Sequence, residues 1–424
     1  MPQAAVIGER PERLTDARSP SKRSLRALDW VNFFKADAQA TVGPYLAIFL
    51  SAARHWAPRR IGMAMSVPGL VTVLAQTPAG ALVDWAPSKR RVLAGAALSL
   101  SAGCLLLATA TGFGEIIFAQ TIIAAASIVM PPAIAAVSVG LVGHRSFAER
   151  TGRNEASSHL GAVAGAAAAG AAAYWIASAG LFYMAALMAA GAALAGAAIR
   201  EADVDPALAR EAAKANGEGE RIAAISELAR DRRIAIFAAA SMLFHLANAA
   251  MLPLVGEMLG AGHPTLAGPY MAACIIVAQI VMTPVALAAG RLAGVLGRKP
   301  VLLTGFAALP IRGLLFALTR QPALLVAVQA LDGIGAGIFG VVALIVVSDL
   351  AQRTGRFNLL QGAISGCVAI GSSLSNLVAG AVAERAGYQA GFVLLSALAV
   401  TALGFLWAAM PETGPRQHKP ASEE

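Results

Sequence analysis

Ionisable and amide side chains are sparse in the long apolar stretches of this chain, so those found there mark where chemistry can occur. Asn32, Lys35 and Gln39 fall at i, i+3 and i+7, one stripe of a helix, while Asp37 projects to nearly the opposite face, beside Thr41. Ser241, His245 and Asn248 make a second stripe, Gln329 and Asp332 a third, and Gln120 and Arg312 stand in separate stretches. An ionisable group in such surroundings needs a partner or a water-filled cavity. A carboxylate or imidazole there suits the binding of a polar solute and the carriage of a proton. Asp37 is one proton candidate. His245 is another, and a buried, hydrogen-bonded imidazole is its plainer reading. Lys35 either faces the cavity or snorkels to a membrane surface about two turns away. Arg312 and Asp332 lie at equal depth counted from their helix ends. The spacing therefore predicts an Arg312–Asp332 ion pair, with a structural role preferred to a substrate site.

Other chemistries find no support. There is no nucleophile triad, HExxH, Walker loop or GxGxxG after a strand, so an enzyme is not expected, nor a catalytic residue or cofactor. Cys104, Cys274 and Cys367 lie singly in apolar runs, without metal-ligand spacing. The net charge of +9 sits in short clusters between apolar runs rather than on an aromatic-interleaved groove, which excludes nucleic acid as a partner.

The elements that must position these residues follow from composition. Hydrophobic residues make up 57% of the 424 and charged ones only 13%, against about 25% charged in soluble domains. Lipid is therefore the expected solvent and a partner. About 20 apolar residues span the hydrocarbon core as a helix. Twelve stretches qualify, near 28–53, 60–83, 92–113, 115–142, 157–178, 180–199, 234–258, 268–290, 300–319, 322–348, 359–383 and 388–410. The expected class is an all-α membrane protein. Its order is a polar disordered tail (1–26), a six-helix bundle (27–199), a charged central loop (200–233), a second six-helix bundle (234–410) and a tail (411–424). One set of loops carries only Arg54, Arg59, Arg60, Arg320 and Arg385, and most of the 33 Lys and Arg lie on the other set. By the positive-inside rule both termini are cytoplasmic, in a bacterial inner membrane. A monomer is expected. Pro131–Pro132 should break the hydrogen-bond ladder of its helix and kink it.

The two halves repeat. Gly80, Leu82 and Lys89 match Gly290, Leu292 and Lys299 at an offset of 210, and Arg150-Thr151-Gly152-Arg153 returns as Arg353-Thr354-Gly355-Arg356. Gly161, Gly165 and Gly170 return as Gly362, Gly366 and Gly371, and Gln120 corresponds to Gln329. Duplicated halves are a transporter architecture. Over residues 27–410 the chain resembles the major facilitator superfamily, whose loop between helices 2 and 3 reads Gly-x-Leu-Ala-Asp-Arg-x-Gly-Arg-Arg/Lys. Gly80, Leu82, Asp84, Lys89 and Arg90 match it, with Trp85 and Pro87 as departures. Gly290, Leu292, Ala293, Gly297, Arg298 and Lys299 match in the second copy, where Gly294 replaces the Asp. The stretches "GPYLAIFL" and "TGRN" resemble a bacterial permease clade of unassigned substrate.

The resemblance implies two pseudo-symmetric bundles of six helices, with helices 1, 4, 7 and 10 lining the cavity. It therefore raises Asp37, Gln120, His245, Asn248, Gln329 and Asp332 and lowers Arg312. The loop motif would act as a gate, with Asp84 against the positive N-terminal end of helix 11 when the halves close on the inner side. The expected function is secondary transport of a small solute by alternating access, driven by protons. Direction stays open, with export of a small amphiphilic metabolite or drug ahead. A non-transporting receptor or assembly partner on the same fold is the alternative.

Overall fold

The computed structural model describes residues 20–143, 146–175, 180–206, 208, 230–351 and 357–413. Among them there is no strand, and twelve helical crossings follow one another. The first half holds α1 (Lys22–Ile48, continued by a π turn, Phe49–Ala53), α2 (Pro58–Trp85), α3 (Lys89–Thr109), α4 (Phe113–Val142), α5 (Phe147–Trp175) and α6 (Gly180–Ala198). The second holds α7a (Arg232–Asn248), α7b (Met251–Gly262), α8 (Ala267–Val295), α9 (Arg298–Leu318), α10a (Pro322–Val328), α10b (Ala330–Ala351), α11 (Phe357–Ala386) and α12 (Tyr388–Ala409). Among the described residues nine of these helices are long and apolar enough to span a membrane on those two properties alone.

Several starts differ from the hydropathy reading. α1 begins at Lys22, where the Ser21 side chain caps it by accepting from the Ser24 amide. α5 begins at Phe147, ten residues before the apolar run, because the charged segment ahead of that run is helical too. Pro131 and Pro132 lie inside a continuous α4, whereas α7 and α10 are the helices that break. Pro253 explains the first break: its ring collides with the carbonyl four residues back, at Ala249, and it has no N–H to give. The Ala250 amide, next to that break, donates to Ser375 Oγ of α11 at 3.0 Å. At the second break Gln329 N bonds Val326 O at 3.1 Å and Asp332 N bonds Gln329 O at 3.0 Å, the tighter 3-10 pattern.

Each half has its own apolar core. Leu28, Leu46, Leu93, Leu100, Ile116 and Phe182 belong to the first; Phe237, Phe244, Phe306, Leu309, Val342 and Leu406 to the second. A third cluster joins the halves through Tyr45, Ile48, Ala166, Met251, Met271 and Phe392. The contacts between bundles crowd toward the end opposite the termini. There Ser373 Oγ of α11 donates to Ser66 O of α2 at 2.9 Å, and the Arg59 amide donates to Glu384 at 3.1 Å. Gly62 sits so close to the Asn376 carbonyl that a Cβ would overlap it. Small residues make that approach possible.

Candidate functional site

Arg312, on α9, is 1% exposed and stands where the two broken helices meet. Its Nη1 donates to Asp332 Oδ1 at 2.7 Å and to Asn248 Oδ1 at 2.5 Å, and its Nη2 donates to Gln329 Oε1 at 2.7 Å. The guanidinium also lies 5.3 Å from the centre of the Phe316 ring. Asn248 is the last residue of α7a and Gln329 the residue between α10a and α10b, so each break delivers an oxygen to the same cation. A planar fork with several donors is suited to such convergence. A buried guanidinium without partners would cost several kcal/mol, so these three acceptors are what permits it to be there. The Asp332 side chain, unlike its partner, stays 21% exposed.

The other stripe residues fall into place around this centre or away from it. His245, one turn before Asn248, bonds the Ser241 carbonyl through Nδ1 at 3.0 Å. A carbonyl only accepts, so Nδ1 carries the hydrogen of this bond. Phe339 of α10b meets that ring edge-on at 4.9 Å. Ser241 turns back to Phe237 O at 2.8 Å. Asn32 is buried and donates to Leu28 O of its own helix at 2.9 Å. Gln120 is buried within the first bundle, its Oε1 without a hydrogen-bond partner among the described residues. Lys35 is half-buried, within electrostatic reach of Glu155 on α5. The side chains of Asp37 and Gln39 lie outside the described residues. Asn248, Gln329, Asp332 and Arg312 are thus the residues brought into contact. The breaks in α7 and α10 were not anticipated by hydropathy, although Pro253 in the middle of an apolar run is a signal for one of them. Glu257, which its place near a helix end suggests to be interfacial, is in fact 2% exposed.

The loop motif has two different arrangements. Gly80 is half-buried and Leu82 exposed on α2, and the Asp84 side chain lies outside the described residues. Lys89 is buried and its Nζ donates to Val83 O at 2.5 Å and Ala86 O at 3.1 Å, closing the end of α2. Arg90 pairs with Glu201 at 3.0 Å and reaches Ala197 O and Ile199 O at the end of α6. A hydrogen bond from Ser88 and the Arg90 charge hold Glu201 below the usual carboxylate range. In the second copy Gly290 packs near Val341 and Leu292 is exposed. Gly297 adopts φ +99°, a left-handed conformation open to glycine. Arg298 pairs with Asp349 of α10b at 3.0 Å, an acid that takes up the charge where Gly294 replaces the motif's Asp. Glu412 accepts from the amides of Arg298 at 2.8 Å and Lys299 at 3.1 Å, capping α9.

A model of the Major Facilitator Superfamily matches residues 30–287 and 278–424. An uncharacterized MFS-type transporter of Mycobacterium tuberculosis is 43% identical over 392 residues, covering 92% of this chain and 94% of that protein. Among solved structures, a variant of the nucleoside transporter NupG superposes with a TM-score of 0.80 at 16% identity, over 91% of this chain and 100% of that one. The peptide transporter POT does so with a TM-score of 0.70 at 14% identity, over 92% of this chain and 94% of that one.

Proposed function

From the premise that this chain belongs to the Major Facilitator Superfamily and is a multi-pass membrane transporter, we propose that it is a proton-coupled secondary carrier of a small solute working by alternating access. The observation that carries this is the Arg312–Asp332–Asn248–Gln329 centre at the convergence of two broken helices. Non-helical backbone and buried charge are both expensive in a membrane, and where they coincide they mark a solute or ion pathway. Asp332 is the group proposed to exchange a proton and a solute contact, while Arg312 sets its charge. His245, Asn248 and Gln329 extend the same wall, and Asn32, Lys35, Asp37, Gln39 and Gln120 are proposed to contribute from the first bundle.

The Lys and Arg of the loops support termini in the cytoplasm of a cell whose inner membrane holds the protein. On that reading the sealed end faces outward. The basic loop motifs around Lys89, Arg90, Arg298 and Lys299 are proposed to gate the cytoplasmic side. The test has two stages. Metabolites retained or lost by a deletion strain and its complemented parent identify the solute; export of an amphiphile is the expected direction. Vesicles carrying purified protein then report flux of that solute with and without an imposed pH gradient. Flux that ignores the gradient removes proton coupling, and binding without flux replaces the carrier by a receptor.

A further inference from the structure

Among the described residues Glu257 is the one buried acid, and it lies on the seam between the bundles rather than in the centre described above. It belongs to α7b, whose Gly256 and Gly260 press against Pro44, Ile48 and Ala52 of the first bundle. Ser51 Oγ donates to the Glu257 backbone carbonyl at 3.1 Å, tying the same two segments. The side-chain Oε2 is buried without a hydrogen-bond partner, and no cation pairs with the carboxyl among the described residues. Tyr388, at the start of α12, is the titratable group facing it, and it too lies beside Ser51. A carboxylate with neither a donor nor a cation is far costlier in such a place than a carboxylic acid. The seam therefore closes around the neutral acid. Parting α1 from α7b would put water in their place and let the acid ionise.

We propose that Glu257 is a proton-binding site whose occupancy is tied to closure of the terminus-free end: the carboxyl takes a proton from water on that side as the seam closes and returns it to that water as the seam opens. This rests on the alternating-access reading and adds to it a site distinct from Asp332. One proton linked to one transition shifts the open-to-closed ratio by up to about tenfold per pH unit.

Ala53 and Ala261 are exposed on either side of the seam. Spin labels at A53C and A261C, with Cys104, Cys274 and Cys367 replaced by alanine, report the seam in lipid nanodiscs from about pH 5 to 9. The expected result is a longer-distance population that grows with pH in the protein carrying Glu257, is abolished by E257Q at every pH, and is retained by E257D. A full pH response in E257Q overturns the site while leaving alternation between the bundles standing. A distance independent of pH in the protein with Glu257 also overturns it, and solute flux in vesicles then judges the transporter reading separately.

Discussion

The two bundles share one scaffold and fill the same place in opposite ways. α3 and α9 match end to end, Lys89 with Arg298 and Thr109 with Leu318, and so do α4 and the two parts of α10, Phe113 with Pro322 and Val142 with Ala351. Each of those pairs differs by 209, one less than the offset read from the Gly80 and Gly290 motifs, so Lys89 corresponds to Arg298 rather than to Lys299. At that offset Arg312 corresponds to Gly103 and Asp332 to Ile123. In the first bundle a Cβ on Gly103 would come within 2.6 Å of Ile123, so the two residues are already in apolar contact. In the second their counterparts form an ion pair. Gln120 and Gln329 are equivalent and both buried, yet α4 runs through the first and α10 breaks at the second. The first bundle shows that the fold needs neither a charge nor a break at this position. A buried ion pair is weak as a stabiliser, so its presence in one copy alone points to use rather than to architecture.

The largest effects come from breaking the pair. R312A leaves Asp332 without its cation, and D332N leaves a buried guanidinium short of its charge partner. Each is expected to cost about 3–5 kcal/mol, read as a lower thermal midpoint in detergent, and to abolish flux. Transplanting the first bundle's solution, R312G with D332I, is expected to recover most of the midpoint and none of the flux. Recovery of both would mean that the centre is only packing.

The seam comes next. Gly62→Leu forces a side chain into the Asn376 carbonyl, and overpacking of this kind costs about 1–3 kcal/mol. That cost falls on the sealed state, so the labelled Ala53–Ala261 distance is expected to lengthen. An unchanged distance would mean that α2 and α11 can yield without opening the seam.

The equivalent glutamines sharpen the comparison further. Gln329→Leu removes an acceptor from a charged donor, at about 1.5–3 kcal/mol. Gln120→Leu replaces an amide whose Oε1 has no partner, and such near-isosteric swaps cost below about 1.5 kcal/mol. Parallel thermal melts of the two variants check the order. Equal losses would place an unseen partner on Gln120.

Why the second bundle's centre was only partly readable follows from the same residues. Apolar length marks helices, and counting from their ends puts Arg312 and Asp332 at one depth; the side chains lie 2.7 Å apart. What counting misses is azimuth. Arg312 sits on a helix that the family resemblance sets back from the cavity, yet it reaches Asn248 and Gln329 because both helices break beside it. Pro253 foretells one break through its missing N–H; nothing so local foretells the one at Gln329. Asn32 satisfies its amide on its own helix, a choice that spacing cannot reveal. The start of α5 was hidden for a simpler reason: its first turns are charged, and hydropathy reports lipid rather than helix.

The smallest difference between the bundles lies where each sixth helix ends. After α12, Glu412 caps α9. After α6, the 3-10 turn Glu201–Asp203 serves the first bundle through two acids. Glu201 reaches Arg90, and Asp203 accepts from Ser24 Oγ at 2.6 Å and from Ser21 Oγ, fastening the start of α1. Hydrogen bonds from Ser21 and Ser24 hold Asp203 below the usual carboxylate range. A folded pKa depressed in this way contributes stability above the unfolded value of about 4 and loses it as pH falls through the folded one. The group is only half-buried and solvent screens it, so the contribution is about half a kcal/mol. Melts at falling pH are therefore expected to show D203N slightly less stable at neutrality and level with the unsubstituted protein only in acid strong enough to protonate the folded Asp203, below its depressed value. A gap that persisted in acid would assign the fastening to the shape of the turn rather than to its charge.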